Sequence, residues 1–540
     1  MSLPSVGVIQ HNPTPGDIAG NYKQIQRGIT DIATEDDVDF IVSPEVSLYG
    51  YPANDYLYED ELYEQAVAQR KEIVAQTVET PPVVLGTVRR TDQRIWNSCL
   101  VAADGEVRAW YDKQLLPSYG VFDEDRYFAP GKTGQVVSIN GYDVALSVCE
   151  DVWYDEEYLG VKQHSTNPLA AYREQSVDLL VNPSASPYRA GKHKERRSLL
   201  QDRAGEIGAP VLFVNRAGSI DEVIFDGRSM LASPNNYIEL TDAFTADTGV
   251  LQATDSETVD TDGRTPHRDL RRALGVGTQE YVRRAGFDSV IVGLSGGIDS
   301  AVTACIAVDA LGADNVTGVM LPSDVTSEES IVDAREVATR LGIAFTVIPV
   351  GEMVEAITEG MESEGSAVTG VAYENVQARI RGLVLMTLAN QRGELVLTPD
   401  NKSESTVGYC TLYGDTVGAL APLGDVVKSD VYQLARSFNE SPPTDAEEVI
   451  PERVVAKEPS AELREGQVDT DDLPSYDIID TFVKETVEGT STSDDVPEQA
   501  QNRLREALRQ SEFKRNQFPP VLRITNRAYG VDWRYPITGR

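Results

Sequence analysis

The sequence predicts a two-part α/β protein, an N-terminal α-β-β-α sandwich followed by a doubly wound parallel sheet. Three observations predict it. In the first half, short apolar runs alternate with polar stretches of helical pattern. Between about Ala253 and Pro266 that pattern gives way to an Asp/Thr/Gly-rich stretch, which reads as a linker. Beyond it a buried apolar run at 288–294 enters a glycine-rich turn and then a helix, the start of a βα series. A chain of 540 residues is too long for one ordinary core and accommodates two large domains.

In the first half, strands are expected at 5–10, 39–43, 83–88, 143–148, 177–181 and 210–214. Asp104-Gly105 is expected to turn a hairpin between Cys99-Leu100-Val101 and Val107-Arg108-Ala109-Trp110, which breaks the βα alternation and favours a mixed sandwich. In the second half, 288–294, 317–321 and 344–350 read as strands separated by helices. The domains are placed at 1–255 and 268–540, with 256–267 as linker and 489–495 as an acidic loop.

Composition narrows the function classes. The apolar fraction is 41%, and no run approaches the ~18 apolar residues that suggest a membrane span. The N-terminus has no basic region, apolar core or cleavage site of a secretory signal, so a cytoplasmic location is expected. Four scattered cysteines without C-x-x-C spacing indicate neither a zinc site nor a disulfide framework. A net charge of -38 disfavours nucleic acid, because such a surface repels phosphate backbones. Acidic residues are dispersed and Arg outnumbers Lys, so a surface adapted to high salt is expected.

Three residues each follow a strand-like run: Glu45 after 40–44, Lys113 after 110–112 and Cys149 after 144–148. Strand ends at one sheet edge can bring distant side chains together. A thiolate there can attack an amide carbon, while the carboxylate moves the proton and the ammonium stabilises the oxyanion. Taken singly, the cysteine reads as a small buried hydrophobe and the charges as solvated surface. Their surroundings change that reading. Pro44-Glu45-Val46-Ser47-Leu48-Tyr49-Gly50-Tyr51-Pro52, Lys113-Gln114-Leu115-Leu116-Pro117-Ser118-Tyr119-Gly120 and Cys149-Glu150-Asp151-Val152-Trp153 together resemble the nitrilase/amidase superfamily, most closely the glutaminase domain of bacterial-type NAD⁺ synthetases. The resemblance spans about 5–235. It implies a Glu45/Lys113/Cys149 triad with Glu124 as an accompanying glutamate. It also implies a glutamine pocket walled by Tyr119 and Trp153, with Glu150, Ser186 and Lys192 at the amino-acid end.

In the second half, Ser295-Gly296-Gly297-Ile298-Asp299-Ser300 lies between an apolar strand and the apolar helix beginning at Ala301. Glycines let the backbone approach phosphate oxygens, and a helix N-terminus offers free N–H groups. The turn lacks Gly-Lys-Ser/Thr and the spacing of a dinucleotide-binding turn. It resembles the PP-loop of N-type ATP pyrophosphatases, which cleave ATP between its α and β phosphates. That loop alone also suits GMP synthetase, asparagine synthetase or a tRNA-thiolating enzyme. Arg379 and Arg381, Asn401-Lys402-Ser403-Glu404, Tyr413-Gly414-Asp415, Pro422 to Lys428, Pro459 to Leu463 and Phe513-Lys514-Arg515 are, as a set, similar to NAD⁺ synthetase from about 268 onward.

The second resemblance implies ATP as co-substrate, held by 295–300 and Lys428, and Mg²⁺ on Glu404. Deamido-NAD⁺ would lie against Arg379 and Asp415. The implied reaction is amidation of deamido-NAD⁺ through an adenylate, with ammonia passed internally from glutamine, in a homo-oligomer. One departure stands out: Pro399-Asp400 occupies the place where the family often has Thr-Gly. The alternatives are an ammonia-dependent synthetase with a vestigial front domain, another amide-forming PP-loop ligase, and an inert nucleotide-binding protein.

Overall fold

The structure is a computed structural model that describes residues 3–35, 38–91, 93–155, 164–240, 243–252, 266–365, 367–490 and 496–539. The chain forms two compact units, Met1–Arg264 and Thr265–Arg540. The expected linker up to Thr265, and residues 491–495 of the expected acidic loop, lie outside the described residues.

Unit 1 is built on two six-stranded sheets. The first runs, in spatial order, Asp247–Gln252, Ser5–Gln10, Phe40–Val42, Val83–Arg90, Ile95–Ala103, Glu106–Asp112. The second runs Asn236–Glu239, Met230–Ser233, Val211–Asn215, Leu179–Ser184, Tyr142–Leu146, Gln135–Ile139. Each has a parallel centre and antiparallel flanks. Side chains two apart share a strand face. Thus Val6 and Val8, Phe40 and Val42 pack against Val144 and Leu146, Leu179 and Val181, Leu212 and Val214 between the sheets.

The outer faces are apolar too. Ile41, Val83 and Leu85 lie under Ile25 and Ile29 of helix Ile18–Ile32 and Ile73 of helix Asp60–Gln76. Leu180, Val211 and Phe213 lie under Leu199, Leu200 and Ala204 of helix Lys192–Ile207. The expected α-β-β-α layering results. Asp104 (φ 54°) and Gly105 (φ 75°) turn the expected hairpin with both central residues left-handed, the geometry that matches strand twist. Each of the six strands expected in this half forms, with ends shifted by at most a few residues.

Unit 2 carries a four-stranded, all-parallel sheet in the order Ala344–Val347, Val316–Met320, Val290–Gly293, Leu395–Leu397. Helices Gly351–Ser363 and Val371–Arg392 cover one face through Val354, Ile380, Leu385 and Ala389. Helix Ile298–Leu311 is buried along most of its length and packs with Pro266–Arg284 and Lys428–Glu440. The chain adds strands in one direction from Val290–Gly293, then returns to place Leu395–Leu397 on its other side. At such a reversal the loops after the two adjoining strands, Val290–Gly293 and Leu395–Leu397, diverge and leave a crevice. Those loops carry residues 295–300 and 399–404.

Candidate active sites

In unit 1 the turn after Tyr142–Leu146 puts Cys149 at φ 41°, a left-handed conformation rare for a residue with a Cβ, at the head of the short helix Cys149–Val152. Lys113 follows the strand Glu106–Asp112 and is completely buried at its side chain. Its Nζ donates to Glu45 Oε1 at 2.8 Å and to Glu124 Oε1 at 2.7 Å. Glu45 is held further by Asn97 Nδ2 at 2.6 Å on Oε1 and by the Ala185 N–H at 2.8 Å on Oε2. Tyr51 donates to Glu124 Oε1 at 2.8 Å.

Burial by itself would lower the Lys113 pKa, but the Glu124 and Glu45 carboxylates lift it well above the ordinary lysine value. Burial raises the Cys149 thiol well above its usual range; Glu45 raises it further, and Lys113 and the Ala185 N–H pull the other way. Burial likewise pushes Glu124 up to about 7, against the pull of Lys113. Burial thus favours the neutral thiol, while the two carboxylates favour the charged lysine.

Asp151, two residues beyond Cys149, accepts from the N–H groups of Gln114, Leu115 and Val148 and from Tyr111 Oη at 2.8–3.0 Å. It ties the cysteine turn to the segment after Lys113. Asp151 stands in the text quoted around Cys149, but its bracing role and that of Asn97 were not legible there because most of their partners lie on distant segments.

Of the residues expected around glutamine, four meet in two pairs. Tyr119 Oη donates to Glu150 Oε1 at 2.8 Å, and Lys192 Nζ sits 5.1 Å from the Trp153 ring centroid. The Ser186 N–H donates to Asn215 Oδ1, and its Oγ accepts from Arg196. Tyr119 also lines a cavity of about 320 Å³ with Gln114, Leu116, Asp125 and residues 164–166.

In unit 2 a cavity of about 260 Å³ occupies the crevice at the strand reversal. It is lined by Ser295, Gly297, Ile298, Asp299 and Ser300 on one side and by Asp400, Glu404, Asp415 and Lys428 on the other. Gly296 has φ 81°, and a Cβ there would lie 2.4 Å from the Ser330 carbonyl oxygen, so the turn needs glycine. Ser300 Oγ donates to the Gly297 carbonyl, and the Ser295 and Gly297 N–H groups donate to Ser300 Oγ and Ser295 Oγ.

Asp299 accepts from Asn401 Nδ2 at 2.9 Å and pairs with Lys428, which also lies 3.6 Å from Glu404 Oε1. Glu404 and Asn401 cap the helix Lys402–Val407 reciprocally, which fixes the glutamate at the cavity edge. Burial and the Asp299 carboxylate push Glu404 up to about 8 despite Lys428. Burial raises Asp415 to about 6 and, with Asp415 and Glu404 nearby, raises Asp400 well above the carboxylate range. Thr398 Oγ1 donates to Asp400 Oδ2 at 2.9 Å.

Arg379 is exposed and donates to the Leu412 carbonyl at 3.2 Å, whereas Arg381 lines the cavity and donates to the Leu321 carbonyl at 2.9 Å. The Pro459 to Leu463 segment also lines it. Lys514 instead braces the loop around Cys410 through the Gly408 and Cys410 carbonyls. Among the described residues no group of three or more His, Cys, Asp or Glu is arranged to hold a metal ion. Glu404 and Asp299 offer two hard oxygen donors, a set that suits Mg²⁺ only when phosphates and water complete it.

Comparison with known proteins separates the candidate families. The carbon-nitrogen hydrolase family model matches residues 5–254, and the NAD synthase family model matches 272–518. The glutamine-dependent NAD(+) synthetase of Synechocystis sp. is 37% identical, covering 99% of this chain and 98% of that protein. The chain belongs to the glutamine-dependent NAD(+) synthetase family. The relative of the same name from Aquifex aeolicus is 36% identical over 98% of both chains. The structure of the Acinetobacter baumannii glutamine-dependent NAD+ synthetase in complex with ADP superposes with a TM-score of 0.77 at 33% identity, covering 99% of this chain and 98% of that one. The chain is thus a family enzyme that joins a carbon-nitrogen hydrolase domain to an NAD synthase domain, the fold and activity class expected from its motifs. No helix among the described residues is long and apolar enough to cross a membrane.

Proposed function

We propose that the enzyme amidates deamido-NAD⁺ with ATP, using ammonia that Cys149 releases from glutamine. The observation that carries the reading is the coexistence of two complete centres in one chain. A buried Lys113 contacts Glu45 and Glu124 beside Cys149, and Lys428 is buried against Asp299 and Glu404 at the glycine turn. A vestigial front domain has no reason to keep Lys113 charged in a dry site.

In unit 1 the Cys149 sulfur attacks the carboxamide carbon as Glu45 takes the thiol proton. Lys113 and neighbouring N–H groups stabilise the oxyanion. Glu45 passes the proton to the leaving nitrogen, ammonia departs, and a thioester remains. Water, activated by Glu45, attacks the thioester carbonyl; glutamate leaves and the thiol regains its proton.

In unit 2 the nicotinate carboxylate attacks the α-phosphorus of ATP and pyrophosphate leaves, giving an adenylate. The N–H groups of 295–300 and Lys428 stabilise the phosphate charge. Ammonia attacks the activated carbonyl, AMP departs, and Asp415 is placed at the cavity to receive a proton. Glu404 and Asp299 would hold Mg²⁺, which when bound supplies neutralising charge to the phosphates. Arg381, rather than Arg379, lines this cavity, which favours it as the arginine near phosphate; Arg379 stays available to substrate at the rim.

A homo-oligomer paired through unit 2 fits the apolar side chains left exposed there. Met353, Ile357 and Met361 recur at four-residue spacing on one helix, and Leu383 and Met386 lie on the next. The substrate assignment is tested by AMP release with deamido-NAD⁺, xanthosine monophosphate or aspartate as acceptor. Release with deamido-NAD⁺ alone is expected, and preference for either other acceptor overturns the reading.

A further inference from the structure

Glu150 directly follows Cys149, so the turn that places the nucleophile also places this carboxylate, which is 3% exposed. Two donors from separate segments converge on one of its oxygens. Tyr119 Oη and His164 Nε2 each lie 2.8 Å from Oε1. A carboxylate oxygen has two lone pairs and no proton to give, so both neighbours donate and both pairs are used. The torsion of the carboxylate is thereby fixed. Among the described residues its other oxygen, Oε2, accepts no hydrogen bond, and no Lys or Arg pairs with Glu150.

His164 differs in this from the buried His11 and the half-buried His193. Among the described residues, both ring nitrogens of His11 and the Nε2 of His193 lack hydrogen-bond partners. His164 meets a carboxylate, with its side chain only 10% exposed, and it lines the 320 Å³ cavity together with Gln114, Leu116 and Tyr119. A buried carboxylate with one oxygen open and no resident side-chain cation of fixed charge is built to receive a cation from a ligand.

We propose that His164 is a specificity-determining residue of the glutamine pocket. With Tyr119 it occupies Oε1 of Glu150 and leaves Oε2 for the α-ammonium group of the substrate. The enzyme would thereby select amino-acid amides over primary amides of the same length that lack the α-amino group. This inference rests on the reading of unit 1 as a glutaminase.

The test compares hydrolysis of glutamine with that of 5-amino-5-oxopentanoate, which keeps the amide and terminal carboxylate but lacks the α-amino group. In the full chain, His164→Ala is expected to raise KM for glutamine about ten-fold with kcat little changed, and to leave KM for the des-amino amide unaltered. His164→Gln, whose side-chain N–H can donate in place of the ring, is expected to restore most of the glutamine KM. Should His164→Ala fail to fold, His164→Leu carries the same expectation. An unchanged glutamine KM, or equal losses on both amides, overturns the proposal. Cys149→Ala is run alongside: if it still hydrolyses glutamine, the glutaminase reading itself fails, whereas an inert Cys149→Ala with a normal His164→Ala defeats the His164 assignment alone.

Discussion

Two carboxylate oxygens within 2.8 Å of the Lys113 nitrogen favour its charged form in a dry site, and burial acts on one of those carboxyls, Glu124, in the opposite sense to Lys113. Burial raises that acid to about 7, above its unfolded value of 4.5. A carboxyl raised on folding favours the folded state fully below pH 4.5, and that contribution is lost as pH climbs toward 7. Glu124→Gln removes the titration. Urea unfolding followed by tryptophan fluorescence is therefore expected to show wild type losing stability relative to the variant as pH rises from 4.5 toward 7. A pH-independent difference would show that Glu124 does not carry the proton. The three residues Glu45, Lys113 and Cys149 were legible in the sequence because each follows a strand and sits in a distinctive local text. Asp151, Asn97 and His164 were not. Their roles come from contacts with residues 14 to 52 positions away, and no local pattern announces such a contact.

At the scale of elements, apolar runs marked the central parallel strands because these are buried on both faces. The edges were harder to read. Asp247–Gln252 has only Leu251 buried, and Leu395–Leu397 is three residues long, yet this short strand creates the reversal on which the second cavity depends. The glycine turn beside it was legible because its geometry demands particular residues. Gly296→Ala would put a Cβ 2.4 Å from the Ser330 carbonyl oxygen at a positive φ, against backbone that cannot swing aside. Such a change is expected to destabilise unit 2 by about 1–3 kcal/mol and to weaken ATP binding. Thermal unfolding and calorimetric titration with ATP check both, and wild-type values in the two measurements would contradict the role given to the turn.

For the whole molecule, a net charge of -38 sets strong self-repulsion against the folded state at low ionic strength. Screening by salt relieves it, since the Debye length falls from about 10 Å at 0.1 M to about 3 Å at 1 M. Melting temperature and activity are therefore expected to rise from low salt toward molar salt; a steady decline would contradict a surface adapted to salt. Composition made this legible, but it carries no information about which reaction the chain performs. That came from the two motif sets, and the family relationship shows that they belong to one enzyme. The central claim, that unit 1 supplies the ammonia unit 2 consumes, is tested most directly by Cys149→Ala. NAD⁺ formation from deamido-NAD⁺ and ATP is measured with glutamine and, separately, with an ammonium salt. The account predicts loss of the glutamine-supported reaction to background with the ammonium-supported reaction preserved. Glutamine-supported synthesis at the wild-type rate would contradict it.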